Sequence, residues 1–217
     1  MNQKITKNLY SFFGNEYQNN AFLLINNDNN ECVVIDPSTY ANEITLFIRE
    51  NKLTLRGILL THGHYDHYSS DEVLVNNFET KIYCPLKEKN VILNHNFSKE
   101  IVGELKIINE NNYVFFEGKE LIVGTFVFNV LETPGHTKGS VCYKWENYVF
   151  TGDTIFYNTI GRTDLPTGNQ LEIFKSIRLF LATYSDDDLI LPGHGCMYKK
   201  LSEVKKANAY LIHFSKK

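Results

Sequence analysis

The chain has 217 residues, of which 43% are hydrophobic and 22% charged, with a net charge of −3 at neutral pH. That balance excludes a disordered chain, and without a cationic surplus there is no electrostatic footprint for nucleic acid. No Pro-, Gly- or Ser-rich linker divides the sequence, so residues 1–217 are expected to form a single domain around its own core.

In chain order, residues 21–25 and 32–35 are apolar runs joined by an Asn/Asp turn, a hairpin pattern. A helix fits residues 40–52, where Ile44, Phe47 and Ile48 share a face. Residues 55–60 read as a buried strand ending at Thr61-His62. A second helix fits residues 71–78, and a short strand fits 81–84. The middle is strand-rich, with candidates at 114–116, 120–123, 125–131, 140–145 and 148–151. Helices at 170–184 and 202–214 then flank a strand at 188–191. Strands with an early helix pair, followed by strands with a late one, suggest two halves of similar design. Two sheets packed face to face with helices outside would bury both sets of strands.

Asn-rich stretches at 26–30 and 109–112 are turns, and the lysine pairs at 199–200, 205–206 and 216–217 read as solvated surface. The cysteines Cys32, Cys84, Cys142 and Cys196 make no Cys-x-x-Cys pair, so free thiols in a reducing cytoplasm are expected. Cys196, although close to His194, is read as a small buried residue. Residues 1–10 lack the apolar stretch of a signal peptide, and no run approaches the roughly 18 apolar residues of a membrane span. His95 and His213 stand in no ligand-like context and are read as ordinary histidines.

The chemistry is concentrated in Thr61-His62-Gly63-His64-Tyr65-Asp66-His67, which puts three imidazoles and a carboxylate within six positions at a strand's C-terminal end. Such ends form the ligand crevice of α/β sheets. In extended backbone His62 and His64 point to one side and can chelate one ion. Asp66 and His67 follow where the chain turns and can face a second. Four ligands in one loop cannot close two sites. His136 in Thr133-Pro134-Gly135-His136, Asp153 in Thr151-Gly152-Asp153-Thr154 and His194 in Leu191-Pro192-Gly193-His194 each follow a predicted strand beside Gly or Pro. That pattern brings them to one rim. Imidazole and carboxylate without thiolate suit Zn, Fe, Mn or Co. Two divalent metal ions per chain are expected, zinc first, with iron or manganese as alternatives. Asp153, between the two late histidines in sequence, is the natural bridging carboxylate.

This ordered set resembles the metallo-β-lactamase superfamily, and within it the glyoxalase II-like (hydroxyacylglutathione hydrolase-like) hydrolases, over residues 21–194. The resemblance implies an α/β fold, an αββα four-layer sandwich with metals on its rim. It also implies a ligand split: His62, His64 and His136 on one metal, Asp66, His67 and His194 on the other, and Asp153 on both. Val34-Ile35-Asp36-Pro37 is similar to the family's early aspartate motif, which would have Asp36 support the metal loop from behind its ligands.

Two metals roughly 3.5–4 Å apart can share a water and make it hydroxide at neutral pH. That hydroxide would attack an acyl carbonyl, with the oxyanion stabilised by metal and Asp66 helping to move the proton. A small-molecule thioester is the expected substrate, with no nucleic acid and no membrane as partner. Full glyoxalase II enzymes carry a C-terminal helical domain, whereas only residues 195–217 follow His194 here. Gly161-Arg162-Thr163-Asp164 also departs from their glutathione-contacting loop and is similar to persulfide dioxygenases. Glutathione as carrier is therefore not implied. Arg162 is a candidate to hold a substrate carboxylate or to tie down its own loop through Asp164. Tyr65 and Tyr157 are further candidates to line the pocket. The rival readings are a mono-iron persulfide dioxygenase and a metal-binding module without catalysis. A true β-lactamase is disfavoured, because those enzymes do not use a bridging carboxylate at the position of Asp153.

Overall fold

Alternating side chains in residues 21–35 decide the architecture. Phe22, Leu24, Val33 and Ile35 face one core cluster, while Leu23, Ile25, Cys32 and Val34 face another. A strand buried on both faces needs a layer on each side, and it reads as a continuous apolar run. The computed structural model describes residues 1–93 and 109–215. In it, β1 (Asn2–Lys4), β2 (Leu9–Phe12), β3 (Ala21–Asn26), β4 (Glu31–Ile35), β5 (Thr54–Leu59), β6 (Ile82–Pro85) and β7 (Tyr113–Phe116) form one sheet in that order. β4 to β7 run parallel and β1 to β4 antiparallel. The second sheet holds β8 (Glu120–Val123), β9 (Phe126–Glu132), β10 (Val141–Trp145), β11 (Tyr148–Gly152), β12 (Leu189–Pro192) and β13 (Lys199–Lys200), in the order β13-β12-β11-β10-β9-β8.

The inner faces meet through Phe22, Leu24, Val33, Ile35 and Leu59 on one side and Phe126, Phe128, Val130, Tyr143 and Phe150 on the other. Each such buried side chain contributes on the order of 1.5–3 kcal/mol. Helices cover the outer faces. Ala41, Ile44 and Ile48 of α1 (Ala41–Glu50) lie one helical face apart and pack on the first sheet with Leu74 and Val75 of α3 (Asp71–Phe78). The one-turn helix α2 (Tyr65–Tyr68) precedes α3, and α4 (Lys89–Leu93) follows β6. On the second sheet, Ile173, Ile177 and Phe180 of α5 (Gln170–Thr183) pack beside Leu201 and Val204 of α6 (Leu201–Ala207) and Leu211 of α7 (Ala209–Ser215). This is the expected αββα sandwich, the metallo-β-lactamase fold.

The strand expected at 114–116 is present as β7, in the first sheet, where it pairs in parallel with β6. One expected element is corrected. The helix expected over 202–214 is two helices, broken at Asn208. Buried Asn208 donates its side-chain amide to the carbonyls of Phe156 and Thr159, and its Oδ1 accepts from the backbone N–H groups of Tyr210 and Leu211. These bonds favour an extended backbone and a new helix start over continuation. The short strands β1, β2 and β13 were not anticipated. Of the histidines read as ordinary, His213 is exposed, and His95 lies outside the described residues, as do Lys216 and Lys217.

The layers are also stitched at the rim. Tyr143 donates its hydroxyl to the carbonyl of Leu60 (2.7 Å), and the Val141 N–H bonds the carbonyl of Thr61 (3.0 Å), so the second sheet grips the end of β5. Tyr143→Phe leaves a buried carbonyl without that donor. Urea unfolding should show a loss of about 1–2 kcal/mol, and an unchanged midpoint would remove the hydroxyl from the account of stability.

Candidate metal centre

β9, β11 and β12 share one direction, because β10 is antiparallel to both β9 and β11 and β12 is parallel to β11. Their C-terminal ends deliver His136, Asp153 and His194 to one rim. The end of β5 delivers His62 and His64, and α2 carries Asp66 and His67. All seven side chains converge. Ligand atoms of His62, His64 and His136 lie within 4.8 Å of one another, as do those of Asp66, His67 and His194. Between the two triads sits Asp153. Its Oδ2 is 3.4 Å from His136 Nε2 and 3.4 Å from His194 Nε2, and its Oδ1 is 3.4 Å from His67 Nε2.

The outer partners fix which nitrogen faces inward. His67 Nδ1 bonds Asp36 Oδ2 (3.0 Å), His136 Nδ1 the carbonyl of Arg162 (2.8 Å), and His194 Nδ1 the carbonyl of Tyr17 (2.8 Å). Carbonyls and carboxylates only accept, so each Nδ1 carries a hydrogen, and in the neutral ring each Nε2 presents a lone pair. Yet His67 Nε2 and His194 Nε2 are 3.2 Å apart, and His64 Nδ1 and His136 Nε2 are 2.9 Å apart. Facing Nε2 lone pairs on His67 and His194 repel unless a cation lies between them, whereas a hydrogen on His64 Nδ1 can bond His136 Nε2. The buried Nε2 of His62 and Oδ1 of Asp153 also lack hydrogen-bond partners. Donor chemistry, direction and orphaned buried atoms all fit divalent metal.

Asp36 shapes this loop. It has φ +47° at the end of β4, and its carboxylate accepts from the N–H (2.8 Å) and hydroxyl (2.6 Å) of Thr61 as well as from His67. Asp36, His62 and His67 form a third ligand-like group. Three donors already occupy Asp36, so it orients the loop and leaves its neighbours to face the metal. Asn19 and Asn20 are contributors that the sequence reading missed. Asn19 donates to Asp66 Oδ2 (3.0 Å), and Asn20 donates to the carbonyls of Pro192 (3.0 Å) and Gly195 (3.3 Å), which flank His194. A polar pair entering an otherwise apolar strand was the available signal.

Electrostatics divides the cluster. Burial, reinforced by neighbouring imidazoles, pushes His62 well down and His64 down to about 3. For His67, burial is outweighed by Asp153, Asp66 and Asp36, which raise it to about 9; for His194 it is outweighed chiefly by Asp153, which raises it to about 11. Asp66 and Asp153 are held well below the usual carboxylate range, burial being overcome chiefly by His67.

A cleft of about 780 Å³ opens over the cluster, with Tyr17, Tyr65, Phe156, Tyr157, Ile160 and Leu165 among its walls. Arg162 also lines it, but its guanidinium makes a two-pronged pair with Asp164, at 2.7 Å on each arm. Cys196 is exposed in the cleft, which corrects the expectation of a buried residue; Gly195, with φ +75°, turns the chain outward directly after His194. The other three cysteines are buried, and all four are free thiols.

With this geometry in place, the chain is assigned by similarity. It belongs to the metallo-beta-lactamase superfamily, which residues 14–194 match. It is 35% identical to a probable metallo-hydrolase, YqgX, of Bacillus subtilis (91% of this chain, 94% of that one) and 31% identical to the hydroxyacylglutathione hydrolase GloC of Haemophilus influenzae (90% and 93%). Among solved structures it is similar to the BLEG-1 B3 metallo-beta-lactamase (30% identity, TM-score 0.85, 94% of this chain and 99% of that one). It is similar also to TTHA1623 in a di-iron-bound form (25%, 0.80, 92% and 98%) and to ETHE1 from Myxococcus xanthus (27%, 0.74, 96% and 89%). Hydrolase chemistry at a metal-binding His/Asp cluster is what this family membership supports. No described helix is long and apolar enough to cross a membrane.

Two predictions follow from the outer partners and from the competition of metal with protons. Asp36→Ala releases His67 and Thr61 together, and chelator-competition titration should show metal affinity lowered by about 10–100-fold. His67 and His194 are raised above their ordinary value, so they hold protons at neutral pH and metal must displace them. Affinity should therefore weaken as pH falls from about 8 to about 6, and the same titration at each pH would contradict this if binding tightened on acidification.

Proposed function

We propose that the chain is a dinuclear-metal hydrolase acting on thioesters. The observation that carries this is Asp153, whose carboxylate lies between two triads of converging side-chain donors. His62, His64 and His136 would hold one metal, Asp66, His67 and His194 the other, and Asp153 both. Because the ligands come from both sheets, residues 1–217 are proposed to work as one domain. When bound, two such ions supply a hydroxide nucleophile at neutral pH and polarise an acyl carbonyl.

The side chains do the rest. Asp66 is partly exposed in the cleft and stays ionised beside His67, so its carboxylate can accept a hydrogen bond from the attacking water and guide its proton. The aromatic walls shield the reacting carbonyl from bulk water. Arg162 contributes through its main chain, whose carbonyl orients His136; a substrate carboxylate would have to displace Asp164 from its guanidinium. The relation to a hydroxyacylglutathione hydrolase supports the thioester class. Zinc is the proposed metal on donor chemistry, with iron next, as a di-iron-bound relative is known. The free thiols support a reducing, cytoplasmic setting.

Elemental analysis of protein purified without chelator should find about two metals per chain. A panel of glutathione thioesters, neutral aryl thioesters and a β-lactam should show turnover of thioesters. Asp153→Ala should lose turnover while its circular dichroism is unchanged. A single tightly held iron with oxygen uptake would replace hydrolysis by a dioxygenase reaction, and β-lactam turnover without thioester turnover would replace the substrate class.

A further inference from the structure

Behind the metal loops lies a carboxylate that the reaction as described does not use. Glu88 ends a one-turn 3-10 helix (Leu86–Glu88) directly after β6 and is fully buried. Both of its oxygens are engaged. Oε2 accepts the N–H of Gly63 (2.8 Å), the residue between His62 and His64, and Oε1 accepts the N–H of Gly139 (2.6 Å), three residues after His136. These two loops come from different sheets, and together they deliver the whole of the first triad.

The neighbouring glycines are shaped to this carboxylate. A Cβ on Gly63 would lie 2.8 Å from Glu88 Oε2, and one on Gly139 would lie 2.5 Å from Oε1. Neither glycine has a left-handed φ, so close approach, not a turn, excludes a side chain at each: by Glu88 at Gly139, and by Glu88 with Val91 at Gly63. The glycine inside His62-Gly63-His64 thereby acquires a reason that the ligand pattern alone did not supply. A carboxylate accepting backbone N–H groups makes short, directional bonds, well suited to fixing two loops against each other; burial raises Glu88 from its ordinary value, and these same N–H groups oppose that rise.

We propose that Glu88 is a positioning residue that sets the spacing of His62, His64 and His136 by clamping their two loops through Gly63 and Gly139. The role rests on the two-metal reading above. It is selective: among the described residues the hydrogen-bond donors to Glu88 lie in the loops of the first triad, whereas Asp66, His67 and His194 are held by Asn19, Asp36 and the Tyr17 carbonyl.

The test is a cobalt titration of chelator-stripped full-length protein, followed by the visible absorption of the bound ion. Glu88→Gln keeps the size but turns an amide N–H₂ towards one of the two N–H donors, which opens one side of the clamp. Uptake by the first triad should weaken by about 10–100-fold with its absorption band altered, while the second step keeps its affinity and band. Gly139→Ala pushes the carboxylate away from the other side and should give the same selective loss; it decides the matter if Glu88→Gln does not fold. Glu88→Asp, too short to span both loops, should not rescue. Ile48→Val, in the outer core under α1, is the control for destabilisation alone. Two ions bound by the wild type with an unchanged first step in Glu88→Gln or in Gly139→Ala would overturn the clamp, as would an equal loss of both steps or an equal effect of Ile48→Val. Fewer than two ions in the wild type would overturn the two-metal reading and the clamp with it.

Discussion

Lone pairs that converge in a buried space govern this structure. His62, His67, His136 and His194 each spend one ring nitrogen on an outer acceptor and turn the other towards a shared centre, where Asp66 and Asp153 also point. Imidazoles so arranged repel, and carboxylates removed from water are costly. Positive charge among them resolves both problems. Protons can supply part of it, as the raised positions of His67 and His194 record. Divalent metal supplies more charge and satisfies more donors at once. The site is thus a local conflict that the rest of the molecule must hold in place until the cation is bound.

The scaffold meets that demand with stiffness. Two apolar inner faces meet in one buried cluster, and the candidate ligands sit immediately beyond the strand ends, where little chain remains to flex. Hydrogen bonds then cross between the parts that carry them. The N–H of Gly193 bonds the carbonyl of Gly152, the N–H of Asn20 bonds the carbonyl of Gly193, and the N–H of Val141 bonds the carbonyl of Thr61. Each joins segments remote in sequence, and each lies within one or two residues of a ligand or of its supporting aspartate. The cleft walls are held differently. Residues 156–160 form a loop, and Asn208 ties it to the last two helices through main-chain carbonyls. Candidate ligands on stiff strand ends and cleft walls on tethered loops would separate the chemistry from its specificity.

That separation bears on how function is read within the family. The chain is 31% identical to a protein named as a hydroxyacylglutathione hydrolase and 30% identical to one named as a B3 metallo-beta-lactamase. Overall identity therefore does not discriminate between those substrates. A shared fold hosts several reactions, and the surroundings of the site choose among them. Here those surroundings are aromatic walls and an Arg162 paired with Asp164.

The amino-acid sequence by itself determined the kinds of ligand, their attachment to strand ends, the helical faces of α1 and α5, and the layered αββα class. Those properties are local: a strand's alternation, a helix's period and a histidine beside glycine are written over a few neighbouring residues. Edge strands as short as β1 and β13 carry too little pattern to register, and the break at Asn208 depends on carbonyls some fifty positions earlier. Tertiary structure alone decided which nitrogen each histidine turns inward, because the acceptors that fix it, the carbonyls of Tyr17 and Arg162, are main-chain groups with no mark in the sequence. It alone decided that Cys196 faces the cleft and that Glu88 joins two metal loops. The reason is common to all of these: a hydrogen bond or a close approach is a relation between two places in space, and only folding brings the second place to the first.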